Sequence, residues 1–171
     1  DWLMLTKRPE NFAKPGFLPW SKHEDAWANV WLGVTAENQE CADFRIPLLL
    51  KTPAHRRFVS YEPALGPVDF RAYTSPQCNP GECCDEDLVM NHPLGSCPKC
   101  RPALDWIIAG SESGPKARPM LDEWVRTVRD RCAEDGVSFF YKQQLAVVEG
   151  KKRIVSLPVL DGAQHREWPT S

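Results

Sequence analysis

Five short apolar stretches punctuate the chain, and each stops abruptly in polar residues. WLML runs into Thr6, Lys7 and Arg8, VWLGV into Thr35, Ala36, Glu37 and Asn38, and RFVS into Tyr61, Glu62 and Pro63. WIIAG runs into Ser111 and Glu112, and VSFFY into Lys142, Gln143 and Gln144. Within each stretch the apolar residues are continuous rather than alternating, which predicts parallel strands covered on both faces. The stretches begin at Trp2, Val30, Arg57, Trp106 and Val137, at intervals of 28, 27, 49 and 31 residues. A βα unit takes about 30 residues, so the chain keeps one rhythm with a single long gap. The gap holds a cysteine- and proline-rich segment, residues 73–103, predicted to be a surface insertion.

Helices are predicted in the intervals. The clearest covers 121–135, with Trp124, Val125, Val128 and Cys132 on one stripe, Pro119 before it and Gly136 after it. A second, over 40–51, contains Pro47 and is predicted to break into two short pieces. The end, VSLPVLDGAQHREWPTS, is turn-rich and reads as a closing tail. Repeated βα units with right-handed crossovers give either a doubly wound sheet or a barrel. No GxGxxG follows any strand, which weakens a dinucleotide fold. In a barrel all strands present their C-terminal ends to one mouth, and the shared polar endings fit that arrangement. The expected fold is α/β: a partial TIM-type barrel of about five parallel βα units in a single incomplete domain, 1–171, with strands missing upstream.

Composition narrows the function classes only slightly. Of 171 residues, 21 are basic and 23 acidic, a net charge of −2 that gives no reason to expect a polyanion across the whole surface. No apolar run is long enough to cross a membrane and no signal peptide opens the chain, so the expected setting is cytoplasmic. Asp1 opens directly on a strand-like run, as in a fragment of a longer protein.

Charged residues at the strand ends are the candidate chemistry. Glu37, Glu62 and Glu112 would converge on the barrel mouth with Lys7, Arg8 and Lys142. Three carboxylates facing three cations suit a polar small-molecule ligand or acid–base work, while each alone suits a helix cap or a salt bridge. In the stretch Gly110-Ser111-Glu112-Ser113-Gly114 the two glycines allow a sharp turn and a close ligand approach, with Lys116 and Arg118 following. The alternative is a tight βα loop closed by a salt bridge. The insertion spaces its thiols as Cys78-x4-Cys83-Cys84 and then Cys97-x2-Cys100, a pattern for one structural zinc held by Cys78, Cys97, Cys100 and one of Cys83 or Cys84. His92 is a reserve ligand, and a redox pair or free thiols are the alternatives. Cys41 and Cys132 stand alone and read as small buried hydrophobes.

The motifs TKRPE, NVWLGVTAENQ, RIPLLLKTPA, RFVSYEPALGPVDF, LDWIIAGSESGPKARPM, WVRTVRDRC, GVSFFYKQ and a closing LDG…WP, in this order, resemble the phage gp-thirty-seven/gp-sixty-eight family of bacteria and bacteriophages, a domain of unknown function. The resemblance covers nearly the whole chain outside the insertion. It implies a radical-SAM-like enzyme that uses S-adenosylmethionine and an iron–sulfur cluster, the cluster held by a three-cysteine motif upstream of this chain and by none of its own seven cysteines. Where that family has Gly-Gly-Glu-Ser-Gly this chain has Gly110-Ser111-Glu112-Ser113-Gly114, and for Lys-Gln-Trp-Gly it has Lys142-Gln143-Gln144-Leu145. Glu112 and Lys142 are kept. On this reading Glu112, Lys142 and Glu62 are the catalytic candidates, and Lys7, Glu37, Gly110, Ser111, Glu112 and Gly114 would bind the cofactor; the chain alone would be inactive. The competing reading is a zinc-bearing nucleic-acid- or protein-binding module on a non-catalytic barrel scaffold, with only Lys99 and Arg101 beside its zinc knuckle.

Overall fold

Each of the five apolar stretches is a strand. A computed structural model of the chain describes residues 1–22, 24–75 and 103–170. In chain order the elements are β1 (Trp2–Thr6), β2 (Val30–Thr35), α1 (Gln39–Leu50), β3 (Arg56–Tyr61), the single turn α2 (Arg71–Thr74), β4 (Trp106–Gly110), α3 (Asp122–Asp135), β5 (Ser138–Val148), β6 (Lys151–Ser156), and the short pair β7 (Val159–Leu160) and β8 (Ala163–Gln164). A 3-10 helix, Pro9–Ala13, follows β1.

The six main strands lie side by side in the order β1-β2-β3-β4-β5-β6, the first five parallel and β6 antiparallel to β5. The sheet is curled, half of a barrel. Chain order without reversal is what right-handed crossovers of one kind produce, and it sets α1 and α3 on the same face. There Leu32, Val34, Val59, Tyr61, Ile107, Ala109, Phe139 and Tyr141 pack with Ile46 and Leu49 of α1 and Val125 and Val128 of α3 in one continuous core. Alternate residues of the same strands, Trp31, Phe58, Trp106 and Ile108, form a second cluster on the opposite face, joined by Phe140. This double coverage explains why the strands read as unbroken apolar runs. Gly33 belongs to the second face, and a Cβ there would overlap the ring of Phe58.

Both helices follow local rules. Asn38 caps α1, its side chain accepting from the Cys41 amide at 2.9 Å, and Ala42, Ile46, Leu49 and Leu50 form the buried stripe. Pro47 does not divide this helix: α1 runs unbroken through it. The proline removes one backbone donor, and the apolar stripe on either side holds the remaining turns against the sheet. Helix α3 starts after Pro119 and stops at Gly136, whose φ of 69° and N–H bond to the Cys132 carbonyl close its C-terminus.

Two further features depart from the sequence reading. Strand β5 continues well beyond the apolar stretch and turns back as β6, so KKRIVS is a strand where none was predicted. The closing segment is more than a tail. It forms β7–β8, bridges Phe140 through Arg166, and lays Trp168 against Trp106 with ring centroids 4.5 Å apart. Residues 76–102, with Cys78, Cys83, Cys84, Cys97 and Cys100, lie outside the described residues. The flanks of that segment meet, the Leu104 amide donating to the Tyr73 carbonyl at 2.9 Å.

Candidate functional site

The polar residues at the strand ends do assemble, but unequally. On the face opposite the helices the strands are aromatic at their N-terminal halves and polar at their C-terminal ends. Strand alternation continues Phe58 into Ser60 and Glu62, Ile108 into Gly110, and Phe140 into Lys142.

Glu37 is the most enclosed ion-pair partner, 8% exposed. One carboxylate oxygen accepts from Lys7 Nζ at 2.5 Å and the other from Arg45 Nη1 at 2.6 Å. Arg45 also donates to the Thr35 carbonyl at 2.8 Å, locking α1 to the end of β2. Burial alone would raise the carboxyl pKa of Glu37. Hydrogen bonds from Lys7, from its own backbone amide and from Cys41, with the charge of Arg45, outweigh it, and the pKa is lowered. Cys41, half-buried beside it, is shifted the other way, by burial and then by the Glu37 charge.

Glu62 is built differently. The loop that follows it is pinned on both sides, the Ala64 amide donating to the Gly110 carbonyl and the Leu65 amide to the Glu37 carbonyl, each at 2.9 Å. Its Oε2 accepts from Ser60 Oγ at 3.2 Å and from Lys142 Nζ at 3.3 Å. Its Oε1 is buried and has no partner among the described residues. This oxygen lies over Gly110, where a Cβ would overlap it and would also stand 3.1 Å from Gln143 Cγ. A β-bulge between Ala109 and Gly110 places Gln143 opposite Gly110, so both Lys142 and Gln143 serve this corner. Ser111 is held at both backbone groups by Gln143, and its buried hydroxyl also has no partner.

Glu112 adopts the salt-bridge alternative. Both its oxygens are taken by Arg118: Oε2 accepts from Nε at 2.9 Å and from the Arg118 amide at 2.9 Å, and Oε1 from Nη2 at 2.8 Å. The Arg118 hydrogen bonds hold its carboxyl down to about 2. Arg118 in turn is raised, first by Glu112 and also by the field of Glu37, which ties this loop electrostatically to the enclosed pair. Gly114, at φ 106°, supplies the turn. A shallow cavity of about 370 Å³ lies along residues 112–117, and Lys116 beside it is exposed.

The structure therefore brings Lys7 to Glu37, and Lys142 and Gly110 to Glu62, while Glu112 is occupied within its own loop. Arg8 is exposed. Sequence reasoning missed Arg45, Ser60 and Gln143. Arg45 carried a readable signal: it lies two helical turns past Glu37 at the start of a capped helix, where a cation can reach back to the strand end. Ser60 and Gln143 carried none, being ordinary polar residues until the register aligned them.

These features define a half-barrel of parallel βα units with a charged mouth at the strand ends. The chain belongs to the family described as protein of unknown function DUF5131, which matches residues 1–169. No curated protein and no solved structure matches the chain.

Proposed function

We propose that this chain is the C-terminal part of a radical-SAM-like barrel and that Glu62 accepts an amine hydrogen bond from the ligand in its mouth, S-adenosylmethionine or the substrate. The observation that carries this reading is the buried, unpartnered Oε1 of Glu62 above a glycine. A buried polar atom without a partner costs about 1–3 kcal/mol, a cost removed when a ligand donor reaches it. The missing side chain at Gly110 keeps that approach open, and Ser60 and Lys142 fix the carboxylate through its other oxygen. Glu37, with Lys7 and Arg45, stiffens the adjoining strand end. The resemblance to the phage family supplies the class of chemistry.

Further support comes from β1. Its side chains are apolar on both faces yet exposed, Trp2 at 71% and Leu5 at 50%, whereas the matching residues of β2 are buried. A parallel strand of that composition suits the interior of a larger barrel. An iron–sulfur cluster with S-adenosylmethionine would supply one-electron chemistry. Among the described residues no group of His, Cys, Asp or Glu could hold a metal, and Cys41 and Cys132 stand apart. On this reading the cluster ligands belong to the upstream three-cysteine motif that the resemblance implies. The insertion thiols are proposed to hold a structural zinc, checked by metal content of the purified protein and of Cys97→Ser.

The test is calorimetric titration of S-adenosylmethionine into the protein and into Glu62→Gln, together with 5′-deoxyadenosine formation by the longer protein after anaerobic reconstitution. Binding that weakens at least tenfold in Glu62→Gln supports the reading, with deoxyadenosine formed only when the upstream cysteines are present. Equal binding by both variants, or a reconstituted cluster that yields no deoxyadenosine, overturns it.

A further inference from the structure

Beyond Gln143, which serves the Glu62 corner, the β5–β6 ribbon leaves the site just described, and its chemistry is distinct. Six residue pairs, from Gln143 with Ser156 to Val148 with Lys151, extend it as a two-stranded arm about 20 Å long at the usual rise per residue. The connecting residues Glu149 and Gly150 have φ of 52° and 73°. Positive φ at both turn positions matches the right-handed twist of the strands, so the turn joins them without splaying the ribbon. All six residues of β6 are exposed, and three in succession are cations, Lys151, Lys152 and Arg153. Among the described residues none of the three forms a salt bridge. Lys152 Nζ reaches the Ala117 carbonyl at 3.4 Å, which fastens the ribbon to the loop that carries Lys116. On a chain of net charge −2, Lys151, Lys152 and Arg153 thus form a local run of cations on one arm.

We infer that this ribbon is a docking arm for duplex DNA, holding its phosphates with Lys151 and Arg153, which share one face of β6. Charge and shape both point to that partner. Cations without carboxylate partners are free to displace the counterions condensed on a polyanion. A two-stranded ribbon fits the B-form major groove, about 12 Å wide, whereas the deep, narrow major groove of an RNA duplex excludes it. Val148, 38% exposed and paired with Lys151 on the same face, adds an apolar contact of the kind that meets thymine methyl groups. The inference concerns a binding surface, and it stands whatever chemistry the mouth performs.

The experiment is fluorescence anisotropy of the protein with a labelled 20-base-pair DNA duplex, an RNA duplex of the same length and anionic phosphatidylserine vesicles, over a salt series. Two phosphate contacts give a slope of about −2 in log affinity against log salt. The double reversal Lys151→Glu with Arg153→Glu should weaken DNA binding at least tenfold and flatten that slope by about 2. The milder Lys151→Gln with Arg153→Gln should give an intermediate loss with the fold, checked by circular dichroism, unchanged. Lys22→Glu, an exposed cation on a different loop, should change nothing. No DNA binding, tighter binding to RNA or vesicles, or affinity untouched by the ribbon variants would overturn the inference, leaving the cations as guards of an exposed strand edge.

Discussion

Glu62 and Glu112 end neighbouring strands of one sheet, yet their carboxylates have opposite fates. Glu112 faces solvent and both its oxygens are bound by Arg118 six residues away, a contact the loop makes with itself. Glu62 is mostly buried and depends on residues brought from elsewhere, with Lys142 on β5 and the empty space over Gly110 on β4, and it keeps one oxygen free. Charge and position along the fold are the same for both. What separates them is how many of the carboxylate's bonding sites the protein itself fills. A satisfied carboxylate fixes a loop, and an unsatisfied buried one is available to a ligand.

The comparison can be strained hardest at its enclosed end. Glu37→Ala should destabilise the protein by about 3 kcal/mol, because it leaves Arg45 nearly buried without its charge partner. Chemical denaturation measures this, and a loss below about 0.5 kcal/mol would show that the pair contributes nothing net. Next comes Gly110→Ala, whose Cβ must displace Glu62 or Gln143. Overpacking of this kind costs about 1–3 kcal/mol, and ligand binding should fall with it. The same substitution at a position without neighbours, Gly114→Ala, should act through its positive φ alone and spare binding.

Smaller in stability but sharper in function is Glu62→Gln, which keeps the shape and removes the charge. Its melting temperature should stay within a few degrees of the parent while amine-ligand affinity drops at least tenfold. Glu112→Gln should do the opposite of what its strand-end position suggests, leaving binding nearly intact and loosening the 111–120 loop, read by amide exchange. The smallest effect is on titration. A carboxyl lowered to about 2 from an ordinary 4.5 contributes stability that is complete above pH 4.5 and is lost as pH falls through 2. Carbon-detected NMR of the Glu112 carboxyl should show that midpoint, and Arg118→Gln should return it toward 4.5. An unchanged midpoint would mean that the Arg118 bonds do not form in solution.

How much of this was legible beforehand depended on the range of the interaction involved. The first four strands, the parallel order of all five and the α3 boundaries follow from runs, spacing and caps within a few residues, and they agree with the structure nearly to the residue, whereas β5 runs seven residues past its apolar stretch. The reach of Lys7 and Lys142 to carboxylates was readable as a shared edge, though not which cation meets which acid. Ribbon β6 escaped because KKRIVS is charged and unaccompanied by a core, so its strand character comes only from pairing with β5. Pro47 misled for a related reason, since a local helix breaker was outweighed by packing on the sheet.

By itself the amino-acid sequence determined a rhythm of βα units, with apolar strand bodies and polar strand ends, because hydrophobic patterning and backbone sterics act over a few residues at a time. Only the tertiary structure decided that Glu112 closes on Arg118, that Glu62 retains a free oxygen over Gly110, and that Trp168 returns to cover Trp106. The second of these rests on strand register and on a one-residue bulge between distant segments. A shift of one residue would turn Glu62 or Gly110 toward the helices, and no short stretch of sequence records that choice.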